Sequence, residues 1–532
     1  MRNEQLRIEQ RSWNKERSLK TNHNGSKRTI PFLLAGSCLL FISAIIFTNC
    51  SLLGDDIETL RKKARGEETL VEKVEWDGPV RALWARTTLA GSGAMFRAVV
   101  VDGDGNVYIA GIQEGTETYD YGDGVTATGT GTSFNPLLVK YNSSGTALWA
   151  RTITSGSYAE FPAIAVDSAG NVYAAGNQSG TEAYDYGDGV TATGTGTSYN
   201  PLLVKYNSSG AALWARTIEA GFSASFGELA VDSAGNVYTA GYQSSGTYDY
   251  GDGVTATGTS TIGNPVLVKY NSSGTALWAS TIISGTYADF YAVAVDSAGN
   301  IYAAGSQSGT EAYDYGDGVN ATGTGTVSNP VLVKYNSSGT AQWARTTLAG
   351  SGGAYFSAVA ADSAGNVYAA GTQIGAEAHN YGDGVTLTGT SIGNPILVKY
   401  NSSGTTQWGR TIIEGSSGVS FYDVDIDNAG NVYTVGVQNG AGVLDYGDGV
   451  TVTGTGIGLK PALVKYNSSG TALWARTIIS GLSADFKAVA VDNNGNVYAS
   501  GNQNGTETYD YGDGVTATGA GSNNPVLVKY GN

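Results

Sequence analysis

The 532-residue chain is rich in glycine (77) and tyrosine (33), and only 14 % of its residues are charged. That turn-rich, aromatic composition describes an all-β protein, long enough for several domains or one large repeat array. A formal net charge of −16 repels phosphate backbones, so nucleic acid is not an expected partner, while cation binding stays open.

In chain order, residues 1–50 come first, with eight Lys/Arg against three Asp/Glu. The basic segment around Lys27 and Arg28 precedes an apolar run, "IPFLLAGSCLLFISAIIF" from Ile30 to Phe47. A positive segment followed by an apolar one is the arrangement of an export signal or a membrane anchor. Directly after it, "FTNCSLLGDD" places Cys50 where a bacterial lipoprotein signal carries its acylated cysteine. This resembles a lipobox, although Thr48 and Asn49 depart from the usual Leu, small, Gly/Ala pattern. The expectation is an exported, membrane-anchored lipoprotein, lipidated at Cys50, at the outer membrane or cell surface. The alternative is an uncleaved anchor near the lower length limit for a span. Cys38 lies inside the apolar run. Residues 51–75, with "DDIETLRKKARGEETLVEKV", read as a charged tether.

From residue 76 to 532 the chain repeats. Tryptophans recur at Trp84, Trp149, Trp214, Trp278, Trp343, Trp408 and Trp474, and seven variants of "AVAVDSAGNVYAAG" recur with them. Within one unit "AVAVD" and "VYAAG" flank a tight "SAGN" turn, and "PLLVKY" and "ALWART" flank "NSSG", so each unit supplies two hairpins and four antiparallel strands, a to d. Four-stranded units repeated around an axis predict a seven-bladed β-propeller. The first unit begins at a strand d, "RALWART" (81–87), and the last unit stops after strand c, "VLVKY" (526–530). The two fragments complete one blade, which closes the ring through an N-terminal outer strand.

The linked motifs "LVKYNSSGTALWART", "AVAVDSAGNVYAAG" and "DYGDGVTATG" resemble the bacterial SBBP repeat, named for a seven-bladed β-propeller, over residues 81–532. The resemblance implies the fold and an exported or surface protein. It implies no particular ligand.

Candidate functional residues follow from what recurs and what does not. The a–b turn aspartates Asp102, Asp167, Asp232, Asp296, Asp362, Asp427 and Asp492 suit a turn-opening role, with Ca²⁺ ligation the alternative, best placed at Asp102 and Asp104. No cofactor is expected. Lys140 and its six counterparts, inside apolar strands c, are read as snorkelling stems with a local acidic partner. The long b–c connections carry "YDYGDG" or a variant, giving a candidate binding face of Tyr121, Asp123, Tyr186, Asp188, Tyr250, Asp252, Tyr315, Asp317, Tyr381, Asp383, Tyr446, Asp448, Tyr511 and Asp513. The same segment also reads as a local β-hairpin around an Asp-Gly turn. Strand direction puts the b–c and d–a connections on one near face and both tight turns on the far face.

Residues flanking the recurring phenylalanine vary from unit to unit, as at Glu160, Asp289 and Asp485; Glu228 and Asp423 replace an alanine nearby, and His379 is unique in the body. These positions enter strand a at the mouth of the axial channel. Tandem drift leaves such a pattern, and so does a single site. With no body cysteine and one body histidine, no nucleophile–base constellation is present, and the expectation is a non-enzymatic protein that binds a protein, glycan or cation ligand at a surface. The alternative is a propeller hydrolase or lyase using Glu160, Glu228, Asp289, Asp423 and Asp485. Oligomeric state is not legible.

Overall fold

The turns come first in the physical account, because they decide where each strand reverses. Asp102 accepts the amides of Asp104 (3.0 Å) and Asn106 (2.8 Å) with one carboxylate oxygen, while Gly105 takes φ of 80°. Asn142 repeats the device at the c–d turn, accepting from Ser144 (3.1 Å) and Thr146 (2.9 Å), with Gly145 at φ 81°. A short side-chain acceptor and a left-handed glycine are what such turns demand. Two fixed hairpins per repeat follow.

The computed structural model describes residues 80–415 and 418–531; the leader, Cys50 and the tether lie outside the described residues. Seven four-stranded antiparallel sheets are present, the blades of a seven-bladed propeller. Blade 1 runs Ala94–Val101, Val107–Glu114, Phe134–Tyr141 and Ala147–Arg151 from the inside outward. The innermost strands of blades 2 to 7 are Ala159–Val166, Ala224–Val231, Ala288–Val295, Ala354–Ala361, Val419–Ile426 and Ala484–Val491. These strands start four residues earlier than "AVAVD" predicts. A bulge beside the recurring phenylalanine, as between Phe486 and Ala488, lets pairing continue past it, and the irregular residue pattern there hides the extension.

The core lies between blades rather than within one. Tyr108 and Leu138 of blade 1 pack with Phe161, Ile164 and Leu202 of blade 2 in one buried cluster. Both faces of every sheet are thereby covered, which is why the strands read as nearly continuous apolar runs.

At six of the seven junctions a polar clamp registers one blade on the next. Lys140 Nζ (3.2 Å) and Trp149 Nε1 (3.2 Å) both donate to the Ser208 carbonyl in the c–d turn of blade 2, and Arg151 Nε donates to Gly210 O at 2.8 Å. The ammonium also sits 4.6 Å from the centre of the Tyr108 ring. A Cβ on Gly210 would approach the Trp149 ring to 3.0 Å, so that glycine serves turn and interface together. The expected acidic partner of the strand-c lysines is thus corrected. The direct partner of Lys140, Lys205, Lys269, Lys334, Lys399 and Lys529 is a carbonyl of the next blade, with the charges of Asp102 and Asp104 opposing the lowering of the Lys140 pKa by burial.

Closure uses the same parts. Arg81–Thr87 pairs antiparallel with Asn523–Gly531, Trp84 standing opposite Lys529. Trp84, Arg86 and Lys529 grip Ser143 and Gly145 of blade 1, and Arg476 of blade 6 donates to the Val80 carbonyl. Asp513 Oδ2 accepts the Ala82 amide at 3.0 Å.

Replacing Asp513 with Ala should cost about 1–3 kcal/mol, because it strands a partly buried amide, and deleting residues 81–87 should broaden the denaturant transition by opening the ring. A deletion variant that unfolds as sharply and at the same denaturant concentration as the intact chain would refute closure as a source of cooperativity.

Candidate functional site at the mouth of the axial channel

The recurring "YDYGDG" segments fold as seven small hairpins, such as Thr118–Asp120 paired with Thr126–Thr128. Their geometry turns the candidate tyrosines inward and leaves the aspartates at the surface. Tyr121, Tyr186, Tyr250, Tyr315, Tyr381, Tyr446 and Tyr511 are each at most 1 % exposed, with hydroxyls donating to Gln113, Gln178, Gln243, Gln307, Gln373, Gln438 and Gln503. The partnering aspartates Asp123, Asp188, Asp252, Asp317, Asp383, Asp448 and Asp513 hold φ between 51° and 56°. Their carboxylates accept the first amides of the outer strands, as Asp123 does from Ala147 at 2.9 Å. For the tyrosines this corrects the binding-face expectation, since the rings face the blade core; each Asp, though exposed, ties the hairpin to strand d.

Other candidates also have structural partners. Asp102 spends its second oxygen on Asn106 Nδ2 (2.8 Å) and the Tyr108 hydroxyl (3.0 Å), while Asp104 projects from the exposed turn. Among the described residues no group of three or more His, Cys, Asp or Glu is placed to hold a metal. His379 occupies the hairpin position of Tyr119; it is buried, 3.9 Å from Glu377, and burial lowers its pKa against the pull of that carboxylate.

The symmetry breaks at the near-face mouth. The recurring phenylalanine is buried, Phe96 stacking on Tyr121 with centroids 6.4 Å apart, so its two neighbours turn toward the channel entrance. Arg97 of blade 1 pairs with Glu160 of blade 2 at 2.8 Å. Asn177 donates to Glu160 (2.9 Å) and Ser225 (3.1 Å), extending that chain to blade 3. Farther round, Tyr291 meets Tyr355 edge to face at 6.3 Å. Lys487 pairs with Asp485 at 2.9 Å and lies 4.4 Å from the Tyr422 ring centre. Asn177 and Asn502 are buried, and each has an amide oxygen without a protein partner.

Below the mouth all seven inner strands line a cavity of about 350 Å³ that includes Glu228, Asp423 and Asp425. Asp423 Oδ2 accepts the Val489 amide and Asp425 Oδ2 the Val491 amide, both at 2.8 Å, so two side chains of blade 6 satisfy edge amides of blade 7. All three are half-buried by area, yet the surrounding channel wall removes most of their water. Burial pushes Glu228 up to about 8, Asp423 to about 6 and Asp425 to about 7. Glu228 on blade 3 faces blade 6, and the Asp423 charge adds to its shift. At the mouth, burial likewise pushes Asp289 up to about 7.

Sequence reasoning named Glu160, Glu228, Asp289, Asp423 and Asp485; the structure puts Glu228 and Asp423 in the channel cavity and Glu160, Asp289 and Asp485 on the innermost strands of blades 2, 4 and 7 beside the recurring phenylalanine. It passed over Asp425, although that residue also stands where other units have alanine, and over Asn177, Asn502 and Tyr242. The latter lie on strand b at positions paired with the variable residues of strand a, Ser225 opposite Tyr242 for instance. Strand pairing is the signal that finds them.

No family model matches the chain. A WD repeat-containing protein of Acanthamoeba polyphaga mimivirus is 25 % identical over 411 residues, 66 % of this chain and 27 % of that protein; the chain thus spans about a quarter of that relative's length. Among solved structures, a polysaccharide lyase aligns at 9 % identity and a TM-score of 0.39, covering 86 % of this chain and 93 % of the lyase. A gluconolactonase from Xanthomonas campestris aligns at 11 % identity and 0.31, covering 67 % and 91 %. A xylan β-1,4-xylosidase from Bacillus halodurans C-125 aligns at 10 % and 0.27, covering 85 % and 99 %. Likeness at this level carries no reaction across. The expectation of a non-enzymatic chain is corrected: it rested on an inventory of missing His and Cys and left out the channel carboxyls Glu228, Asp423 and Asp425, whose pKa values burial raises.

A carboxyl whose folded pKa is raised binds more protons folded than unfolded, so its contribution to stability is complete below about pH 4 and is lost as pH rises through the folded pKa. Glu228→Gln should therefore match the parent's unfolding temperature at about pH 4 and exceed it at about pH 9. Parallel thermal profiles for the two proteins across that range would contradict the burial assigned to Glu228.

Proposed function

We propose that this chain is an exported, membrane-anchored propeller of the SBBP repeat kind that binds a polar polymer, a glycan foremost, at the near-face channel mouth. The observation that carries this reading is where the symmetry fails. The copies keep the same a–b turns and small hairpins, yet the residues beside each phenylalanine differ and enter the same end of the channel. Carboxylates, amides and half-exposed tyrosines such as Tyr291 and Tyr422 are the groups that meet sugar hydroxyls and sugar faces. Protein ligands are the other outcome of the same test.

A second reading has its own observation. Glu228, raised to about 8, faces Asp423, raised to about 6, so near neutral pH one carboxyl holds its proton while the other gives it up. That division suits acid–base hydrolysis or elimination in a ligand that reaches into the channel.

Glycan and matrix-protein arrays probed with the full chain, with and without Ca²⁺, test the first reading. Tyr422→Ala and Glu160→Gln should each weaken the array signal about tenfold through lost mouth contacts, and the outer-strand change Leu148→Ala should not. No ligand in either condition would count against it. Turnover of a captured glycan that Glu228→Gln abolishes would establish the second reading. The anchor is tested separately: Cys50→Ser should shift the chain from the detergent phase to the aqueous phase on partitioning.

A further inference from the structure

Three mouth carboxylates enter just before the recurring phenylalanine, and the chain supplies a cation to two of them. Glu160 receives Arg97 from the position after Phe96 on the preceding blade. Asp485 receives Lys487 from the position after Phe486 on its own strand. Asp289 is the third. Its two corresponding positions are Gly227 on the preceding blade and Tyr291 on its own strand, and neither carries positive charge.

Space follows the same pattern. A Cβ built on Gly227 would find nothing nearer than the Ala240 and Tyr291 carbonyls, both at 4.0 Å. The position from which Arg97 reaches Glu160 in blade 1 is therefore unobstructed at its first atom in blade 3. Oxygen acceptors border it. The phenols of Tyr242, Tyr287 and Tyr291 are all within electrostatic reach of the Asp289 carboxylate, and Tyr291 shares a hydrogen bond with Ser306 at 3.1 Å.

We propose that this slot, floored by Asp289 and entered over Gly227, binds a primary ammonium group carried by the ligand. Three N–H donors match one carboxylate and its flanking phenol oxygens, and the ligand completes the ion pair that the chain completes for itself at Glu160 and Asp485. A quaternary ammonium has no N–H to donate and an alcohol has no charge, so both should bind more weakly. The slot rests on the same mouth as the function proposed above but requires no glycan.

Ionisation of Asp289 sets the pH dependence. Its carboxyl is pushed up to about 7 by burial, while Tyr242 and Tyr287 are raised and Tyr291 is raised to about 12, so the phenols stay neutral. Glu160, the other charge near Tyr242, remains paired with Arg97. Affinity should fall as pH drops below about 7, where the carboxylate takes up a proton.

Calorimetric titration of the full chain with n-butylammonium, n-butanol and tetramethylammonium tests the slot. At about pH 8 the primary ammonium should bind at least about tenfold more tightly than either control, the scale of one charge-assisted hydrogen bond. Gly227→Arg, which supplies the missing internal cation, and Asp289→Asn should each remove at least about tenfold of that affinity, with unfolding temperatures showing both variants folded. Absence of binding to the parent, equal binding of butanol, or full affinity in folded Gly227→Arg would each overturn the proposal. An array signal that depends on Tyr422 in a protein indifferent to butylammonium would remove the slot and leave the mouth reading standing.

Discussion

Six of the seven blade junctions depend on the hold that one blade has on the c–d turn of the next, and at the seventh, where the chain ends meet, Arg476 takes the Val80 carbonyl instead. The turn offers backbone carbonyls at Ser208 and Gly210, and the preceding blade answers with an ammonium, an indole and a guanidinium. Apolar packing between blades supplies most of the driving force but is non-directional. Directional donors on fixed carbonyls set the rotation of one sheet against the next, and a ring closes only if every rotation is nearly the same. Variation within the clamp is tolerated: Ser280 stands where other blades have arginine, and Lys269 and Trp278 still hold Ser337.

Most of the architecture was legible because it is written seven times. The turn residues Asp102 and Asn142, the tryptophan spacing and the out-of-phase ends lead directly to the observed blades and the closing strand. What stayed hidden is partner identity across blades. Nothing local in "LVKY" tells whether its lysine meets an acid or a carbonyl, since the Ser208 carbonyl lies in another repeat. The "YDYGDG" tyrosines raised the opposite difficulty. A tyrosine-rich loop looks available to a ligand until the glutamine that receives its hydroxyl, one strand earlier, is placed behind it.

The mouth is legible in a different sense. Repetition conceals function where every copy is needed for folding, and exposes it where copies disagree. Glu160, Asp289 and Asp485 occupy equivalent places in three blades and meet three environments: an arginine from next door, a set of phenols, and a lysine on the same strand. The fold thus offers a common position, and single substitutions around it decide whether the charge there is satisfied within the chain or by something outside. Asp423 and Asp425 extend the same logic inward, where carboxylates stand in for a neighbouring strand along the channel wall.

The closing strand carries a consequence for biogenesis. The Ala82 amide and Asp513 carboxylate are 431 residues apart in sequence, and joining two points so far along an unordered chain costs about 5 kcal/mol of loop entropy beyond the constant term. Blades 1 to 6 need only contacts between adjacent repeats, so they can form as the chain emerges and bring its ends together before that cost is met in full. Until then Arg81–Thr87 is an unpaired β-edge waiting for a partner that has yet to be synthesised. A second chain emerging alongside presents the same unfilled place in its seventh blade, so a high local concentration of nascent chains favours exchange of this one strand between molecules.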